Sequence, residues 1–271
     1  MLGAILGDAI GSAHQRNKIQ DFELITPNSH WTENTIFTLA TADYLLYGGE
    51  YEESYSRWYE WYPKIRGRYN NSFSEWAKTN GAKPYYSCRN DGAVRAVPIA
   101  YAFDNLKEVM EEAERSAMVS HNHPEGVKGA QATAAAVFLA NAKAPKETIS
   151  DLLTSIFGYN FQASYKSLQQ DYQYSTLATD TVEAAILAFL HSTDFEDAIR
   201  KAVSLGGDAK TLAAIAGGIA EAFYPKVPKS LQKWGWELLD EGQQDLISEF
   251  QTEFLAEAAQ PRAAGLTTTA P

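Results

Sequence analysis

The sequence predicts an all-α protein, a compact single-domain helical bundle. Apolar residues recur at three- and four-residue spacing along most of the chain, and few stretches alternate with period two. The periodicity fails where proline, glycine or clustered polar residues interrupt it. In the first segment Gly3, Gly7 and Gly11 stand four apart on one helix face with Ala4 nearby. A glycine inside a helix costs about 1 kcal/mol, so this spacing predicts close approach of another backbone. A polar loop follows from Arg16 to His30, and helical spacing resumes with Ile36, Leu39, Ala40 and Leu46. Breaks at Pro63 to Asn71 and Tyr85 to Asp91 precede a helix over Ala93 to Phe103. Later apolar stripes are Val109, Ala113 and Ala117, then Val127 to Leu139, Ala184 to Leu190, and Leu212 to Phe223, which ends at Pro225 and Pro228. Periodicity alone gives about ten helices. The expected core contains Leu6, Leu39, Val137, Ile186, Leu190, Ile215 and Ile219, each on an apolar face. With no Pro/Gly/Ser linker, residues 1–259 are expected to form one domain, and 260–271 (QPRAAGLTTTAP) a flexible tail.

Length and composition bound the function. With 271 residues, 45% of them hydrophobic and 12% aromatic, the chain is long enough for a large core. Lys and Arg number 23 against 34 Asp and Glu, and the net charge of -11 makes nucleic acid an unfavourable general partner. The single cysteine, Cys88, has no partner for an intrachain disulfide. No apolar run reaches the ~20 residues that span a bilayer, and no basic segment leads into an unbroken apolar one. The expectation is a soluble, cytoplasmic protein with no membrane partner.

Four polar stretches carry the chemistry. Thr32-Glu33-Asn34-Thr35 precedes the helix Ile36 to Leu46. It reads either as a helix start, with Thr32 capping and Glu33 complementing the dipole, or as oxygen ligands for a hard cation. Leu205-Gly206-Gly207-Asp208-Ala209-Lys210-Thr211 opens the helix Leu212 to Phe223. Asp208 reads as an N-cap, or with Thr211, three residues on, as a second ligand group; Lys210 opposes the latter because an ammonium repels a cation. Ser87-Cys88-Arg89-Asn90-Asp91-Gly92 is either a solvated turn or a loop whose backbone N–H groups meet a diphosphate. In Ser120-His121-Asn122-His123-Pro124-Glu125 the paired histidines lack the further ligand a zinc site wants, which favours a histidine hydrogen-bonding a ligand or a carbonyl.

In this order the stretches resemble the ADP-ribosylglycohydrolase family, which includes dinitrogenase reductase-activating glycohydrolase and the ADP-ribosyl-acceptor hydrolases. The clearest parts are Gly3-Ala4-Ile5-Leu6-Gly7-Asp8-Ala9-Ile10-Gly11-Ser12, Ser120-His121-Asn122-His123-Pro124-Glu125-Gly126-Val127-Lys128-Gly129-Ala130, and Ser204-Leu205-Gly206-Gly207-Asp208. The resemblance runs from Gly3 to about Tyr224. It implies a helical fold, two magnesium ions at the bottom of a cleft, and substrates in which ADP-ribose is joined to a protein side chain or small molecule. By the same resemblance Thr32, Glu33, Asn34, Asp208 and Thr211 occupy metal-ligand positions, while Ser87, Arg89, Asn90 and His121 occupy positions that hold the diphosphate and ribose.

The departures from the family pattern are specific. Thr-Asp-Asp-Thr becomes Thr32-Glu33-Asn34-Thr35, the second metal-binding Asp of Gly-Gly-Asp-x-Asp-Thr becomes Lys210, and a carboxylate expected after the first helix becomes Gln15. Arg89 stands where glycine is usual, and either grips a phosphate or blocks the loop; Asp91 also replaces a small residue. With three carboxylates lost and an ammonium gained, the family's magnesium is expected to bind weakly or not at all, with Lys210 pairing to Asp208 or Glu33. The expected function is recognition of ADP-ribose, an ADP-ribosylated partner or a related nucleotide with little or no hydrolysis. The alternatives are a hydrolase using an altered, single-metal site, and an interaction protein whose aromatic residues Trp58, Tyr59, Trp61 and Tyr62 form a surface patch.

Overall fold

The protein is described by a computed structural model over residues 1–16 and 18–255. Residues 260–271, expected to form a tail, lie outside this range. Among the described residues the chain is all helical, with no strand. The helices are α1 (Leu2–Ser12), α2 (Glu33–Tyr47), α3 (Tyr51–Trp61), α4 (Asn71–Lys78), α5 (Asp91–Val94), α6 (Ile99–Ala102), α7 (Leu106–Met118) and α8 (Pro124–Asn141). They continue with α9 (Lys146–Phe157), α10 (Tyr165–Asp171), α11 (Ala178–Leu190), α12 (Phe195–Ser204), α13 (Ala209–Phe223), α14 (Lys229–Glu237) and α15 (Glu241–Phe254). The single helix expected over Ala93 to Phe103 is instead two single turns, α5 and α6, parted at residues 95–98, where Pro98 has no N–H to continue a helix; helices such as α10 and α14, which expose most of their residues, raise the number further above the expected ten.

Helix α13 forms the axis. It is alanine- and glycine-rich, it is buried along nearly its whole length, and it packs on α1, α8, α11 and α12. The glycine spacing in α1 has the predicted consequence. A Cβ on Gly7 would lie 2.0 Å from the Ala213 carbonyl oxygen, and Cβ atoms on Gly3 and Gly11 would each come within 2.4 Å of an α13 carbonyl oxygen. Backbone meets backbone here, and no side chain larger than hydrogen fits between. Leu6, Leu39, Val137, Ile186, Ile215 and Ile219 are buried in one apolar core, and Leu190, at the end of α11, is partly buried against it. The expected aromatic patch divides: Trp58 is buried, Tyr59 and Tyr62 are half-buried against the core, and Trp61 is exposed.

Packing α1 on α13 brings the end of α1 next to the start of α13. Helix α2, which also packs on α1, brings its own N-terminus to the same place. Three chain segments distant in sequence thus meet at one cleft.

Candidate functional site

The site is built on Asp8, a fully buried carboxylate in an otherwise apolar helix. An unpaired carboxylate in such a place would be strongly destabilising. Asp8 is instead surrounded by donors from the first turn of α2. Its Oδ1 accepts from the Thr32 hydroxyl (2.6 Å) and the Asn34 amide (3.4 Å). Its Oδ2 accepts from the Thr32 and Thr35 backbone N–H groups (2.7 and 3.2 Å) and the Thr35 hydroxyl (2.7 Å). Burial pushes the Asp8 carboxyl up, while Lys210 and the Thr32 and Thr35 donors oppose that shift. Thr32 is also the N-cap of α2, its hydroxyl accepting from the Asn34 N–H at 3.4 Å. Capping and clustering are therefore not alternatives. The cap fixes α2 to α1 and turns Glu33 and Asn34 toward α13, where the Asn34 amide donates to Thr211 Oγ1 at 3.0 Å.

Opposite stands the first turn of α13, entered through a left-handed turn at Gly206 (φ 74°). Asp208 occupies the N-cap position but makes no side-chain cap bond. Its Oδ2 accepts instead from the Asn90 amide and the Thr211 hydroxyl, each at 3.0 Å. With its amide oriented to suit its neighbours, Gln15 donates to Asp208 Oδ1 at 3.2 Å and accepts the Lys210 backbone N–H at 3.0 Å. The Lys210 ammonium forms a short salt bridge with Glu33. Burial lowers the pKa of Lys210, but Glu33, Asp208 and Asp8 outweigh it and hold the group above its ordinary value. Burial raises Glu33, and Lys210 opposes this. The two shifts pull the pair in opposite senses; with three carboxylates around the ammonium, we assign Lys210 as charged. Glu33 Oε2 and Asn34 Oδ1 remain buried acceptors without a partner.

The loop before α5 forms the third wall. Ser87 Oγ accepts from the Arg89 N–H at 3.2 Å, Arg89 donates to Thr176 Oγ1 at 3.1 Å, and the Asn90 amide also reaches Thr181 at 3.0 Å. Behind it His121 Nε2 meets Asp91 Oδ1 at 2.9 Å, and Nδ1 meets the Ser120 hydroxyl, itself a 2.9 Å acceptor from buried Arg95. Gly92 makes room for the imidazole, since a Cβ there would come within 2.6 Å of the ring. Burial lowers His121 against the opposing pull of Asp91. Burial raises Asp91, but His121, Arg89 and Arg95 together hold it well below the usual carboxylate range.

These walls enclose a cleft of about 710 Å³. From the candidate metal positions, Thr32, Glu33, Asn34, Asp208 and Thr211 all line it, as do the substituted residues Gln15 and Lys210. From the ligand positions, Arg89 and Asn90 line it. Ser87 and His121 stand behind the wall, both buried, His121 completely so. His123 turns elsewhere: its ring caps α8 by accepting the Glu125 N–H at 3.1 Å. Among the described residues no three His, Cys, Asp or Glu side chains are grouped so as to hold a metal. Sequence reasoning missed Asp8 as the hub, whose signal was a lone carboxylate inside an apolar glycine-faced helix. It also missed Arg16, Arg66, Arg68 and Tyr174, which line the cleft from irregular segments where no periodicity marks them.

Comparison with known proteins follows the same lines. The ADP-ribosylglycohydrolase family model matches residues 1–264. The ADP-ribosylarginine hydrolase Tri1 of Pseudomonas putida (strain GB-1) is 28% identical over 273 residues, covering 87% of this chain and 73% of the relative. ADP-ribosylhydrolase ARH3 of Gallus gallus is 27% identical over 204 residues, covering 58% of this chain and 55% of the relative. A solved ADP-ribosylglycohydrolase-related protein complex has the same fold, with a TM-score of 0.70 and 24% identity over 93% of this chain and 96% of that one.

Proposed function

The chain belongs to the ADP-ribosylglycohydrolase family, and within it we propose a protein that binds ADP-ribose, an ADP-ribosylated partner or a related nucleotide with little or no hydrolysis. The observation that carries this reading is the Lys210–Glu33 salt bridge at the bottom of the cleft. Two divalent ions ~4 Å apart repel by about 16 kcal/mol at an effective dielectric near 20, so a dinuclear site needs a cage of free carboxylates. The nearby carboxylates are Asp8, Glu33 and Asp208. Asp8 is spent on five donors, Asp208 accepts from Asn90, Thr211 and Gln15, and Glu33 is neutralised by the ammonium. This donor set does not fit two magnesium ions. Gln15 adds no carboxylate that could activate water. What persists is a cleft lined mainly by polar and charged residues, of a volume suited to a small-molecule ligand.

Ser87 and His121 serve the ligand indirectly in this reading, Ser87 by shaping the Arg89 loop and His121 by holding Asp91. The acidic chain makes nucleic acid an unfavourable partner, and no helix among the described residues is long and apolar enough to cross a membrane. We place the protein in the cytoplasm as part of the same reading, with Cys88 as a free thiol.

One observation favours a second reading. Glu33 Oε2 and Asn34 Oδ1 are buried acceptors without partners in the neighbourhood of Thr211 and Asp208, and together these oxygens suit a single hard cation that would polarise a glycosidic linkage. The ADP-ribosylarginine hydrolase named above is a relative matched over 87% of this chain and 73% of its own length. Calorimetric titration with ADP-ribose and with magnesium, separately and together, distinguishes the readings. Binding of ADP-ribose without metal supports the proposal. Binding only when magnesium is present supports the second reading, and binding in neither condition overturns both.

A further inference from the structure

The carboxylates of the cleft are all engaged, whereas two of its four guanidinium groups are not. Glu33 pairs with Lys210, Asp91 with His121 and the Asn70 amide, and Asp208 with Asn90 and Thr211. Arg66 and Arg68 line the same cleft and are exposed. Among the described residues neither has a hydrogen bond, ion pair or ring contact. In a chain of net charge -11, two exposed arginines facing a cavity and leaving every acidic side chain alone form a local field of the opposite sign.

The segment that carries them is held at its base. The Asn70 amide donates to Asp91 Oδ2 at 3.0 Å, Asn70 Oδ1 caps α4 through the Phe73 N–H at 2.7 Å, and the Tyr69 hydroxyl donates to the Tyr62 carbonyl at 2.9 Å. Between the arginines Gly67 takes a left-handed conformation (φ 100°) that bulkier residues avoid. Arg16 joins the cleft lining with its guanidinium 4.4 Å from the centre of the Tyr174 ring, whereas the Arg89 guanidinium is already engaged by Thr176 and lies 3.9 Å from Asp91. The floor has the complementary need, because the unpartnered Glu33 Oε2 and Asn34 Oδ1 accept hydrogen bonds from a donor such as a hydroxyl. A ligand that is anionic along one part and hydroxylated at another meets both demands, and planar guanidinium forks match phosphate oxygens.

We propose that Arg66 and Arg68, with Arg16, form a metal-independent grip on the phosphates of a nucleoside-diphosphate ligand. The identity of the ligand's sugar rests on the function proposed above; the phosphate grip does not. The grip needs guanidinium charge alone, and the segment before α4 that carries two of the three arginines is pinned to Asp91 through Asn70.

The test is calorimetry in EDTA with inorganic pyrophosphate and ADP-ribose, on wild type, Arg66→Ala/Arg68→Ala and Arg66→Lys/Arg68→Lys. The two arginines are exposed, so the variants are expected to fold, which circular dichroism checks. Charge-assisted contacts of this kind, discounted for solvent exposure, predict at least about a tenfold weakening of both probes in the double alanine variant and a smaller loss in the lysine variant. Wild-type affinity for pyrophosphate should also fall as salt is raised. Equal affinity in wild type and the double alanine variant overturns the grip, as does pyrophosphate binding that appears only with magnesium. A tenfold loss of pyrophosphate binding, in a wild type that ignores ADP-ribose, sustains the grip and defeats the ligand reading above. Unchanged ADP-ribose affinity in both variants does the reverse. A polyaspartate peptide that binds the rim and is not displaced by pyrophosphate overturns the assignment to phosphate.

Discussion

Replacing Lys210 with methionine keeps most of the side-chain volume and removes the charge that faces Glu33. Both partners are shielded, with side-chain exposures of 20% for Lys210 and 13% for Glu33, and breaking a buried pair from one side typically costs 3–5 kcal/mol. The orphaned Glu33 can take up a proton, so we expect the lower end, about 3 kcal/mol near pH 7.5. For a chain of this size that is a fall of about 6 to 12 °C in Tm. The sign of the pH dependence follows from Glu33. Burial already raises its folded pKa above the ordinary 4.5, and removing Lys210 removes the main influence that lowers it. A carboxyl with a raised folded pKa is harmless below its unfolded pKa and loses stability as pH rises through the folded one. The deficit of Lys210→Met should therefore be greatest near pH 8 and shrink toward pH 5. Glu33→Gln combined with Lys210→Met should recover about 2 kcal/mol relative to the sum of the single changes. Urea denaturation of the four proteins at two pH values measures this. A Lys210→Met cost within about 0.5 kcal/mol of zero, or an additive double variant, would refute the claim that the pair neutralises the cleft.

Other consequences concern the frame and the walls. Gly7→Ala sets a methyl group against the Ala213 carbonyl, where neither backbone can yield, and should destabilise the protein by about 3 kcal/mol or more in chemical denaturation; a neutral result would deny the close approach of α1 and α13. His121 has a folded pKa lowered by burial, so its contribution is fully present above the ordinary 6.5 and is lost as pH falls from there through the lowered folded value; His121→Gln should narrow the stability gap between pH 8 and pH 5.5, and an unchanged gap would count against a buried neutral imidazole. Ser87→Ala removes an acceptor of the Arg89 N–H and should weaken ADP-ribose binding a few-fold by calorimetry, roughly as expected for one lost hydrogen bond. Lys210→Asp should gain a magnesium-dependent rise in Tm that wild type lacks, about 2.7 kcal/mol of stabilisation at a hundred times Kd; the same Tm with and without magnesium would mean that Lys210 is not what keeps the ion out.

The frame of the molecule was legible because its causes are local. A four-residue glycine repeat on an apolar helix predicts a backbone partner, and α13 is that partner. Helix starts at Thr32 and Asp208 were visible as polar residues before apolar runs, although Asp208 turns its carboxylate to side chains and leaves the cap unmade. What escaped the sequence depends on contacts across long separations. Asp8 gave one sign, a charge where periodicity demanded an apolar residue, but its donors lie 24 to 27 positions away. The pairing of Lys210 with Glu33 was foreseen as one of two choices, and geometry chose Glu33 because Asp208 is taken by Asn90, Thr211 and Gln15. His121 was placed among the ligand-holding residues by resemblance to the family, whereas here it is covered by Asp91, itself a departure from the family's small residue. The arginines of the rim lie in irregular segments, where spacing predicts nothing about direction.

The measurement that bears most directly on the account is the release of free ADP-ribose from ADP-ribosyl-arginine and ADP-ribosyl-serine by the wild-type protein, followed with and without magnesium alongside the variant Gln15→Glu/Asn34→Asp/Lys210→Asp. With Lys210 occupying the bottom of the cleft and no carboxylate at Gln15, wild type should release nothing above background at any magnesium concentration, while the triple variant should bind the ion and begin to cleave. Robust magnesium-dependent cleavage by wild type would contradict the account and make the altered-site hydrolase the correct reading.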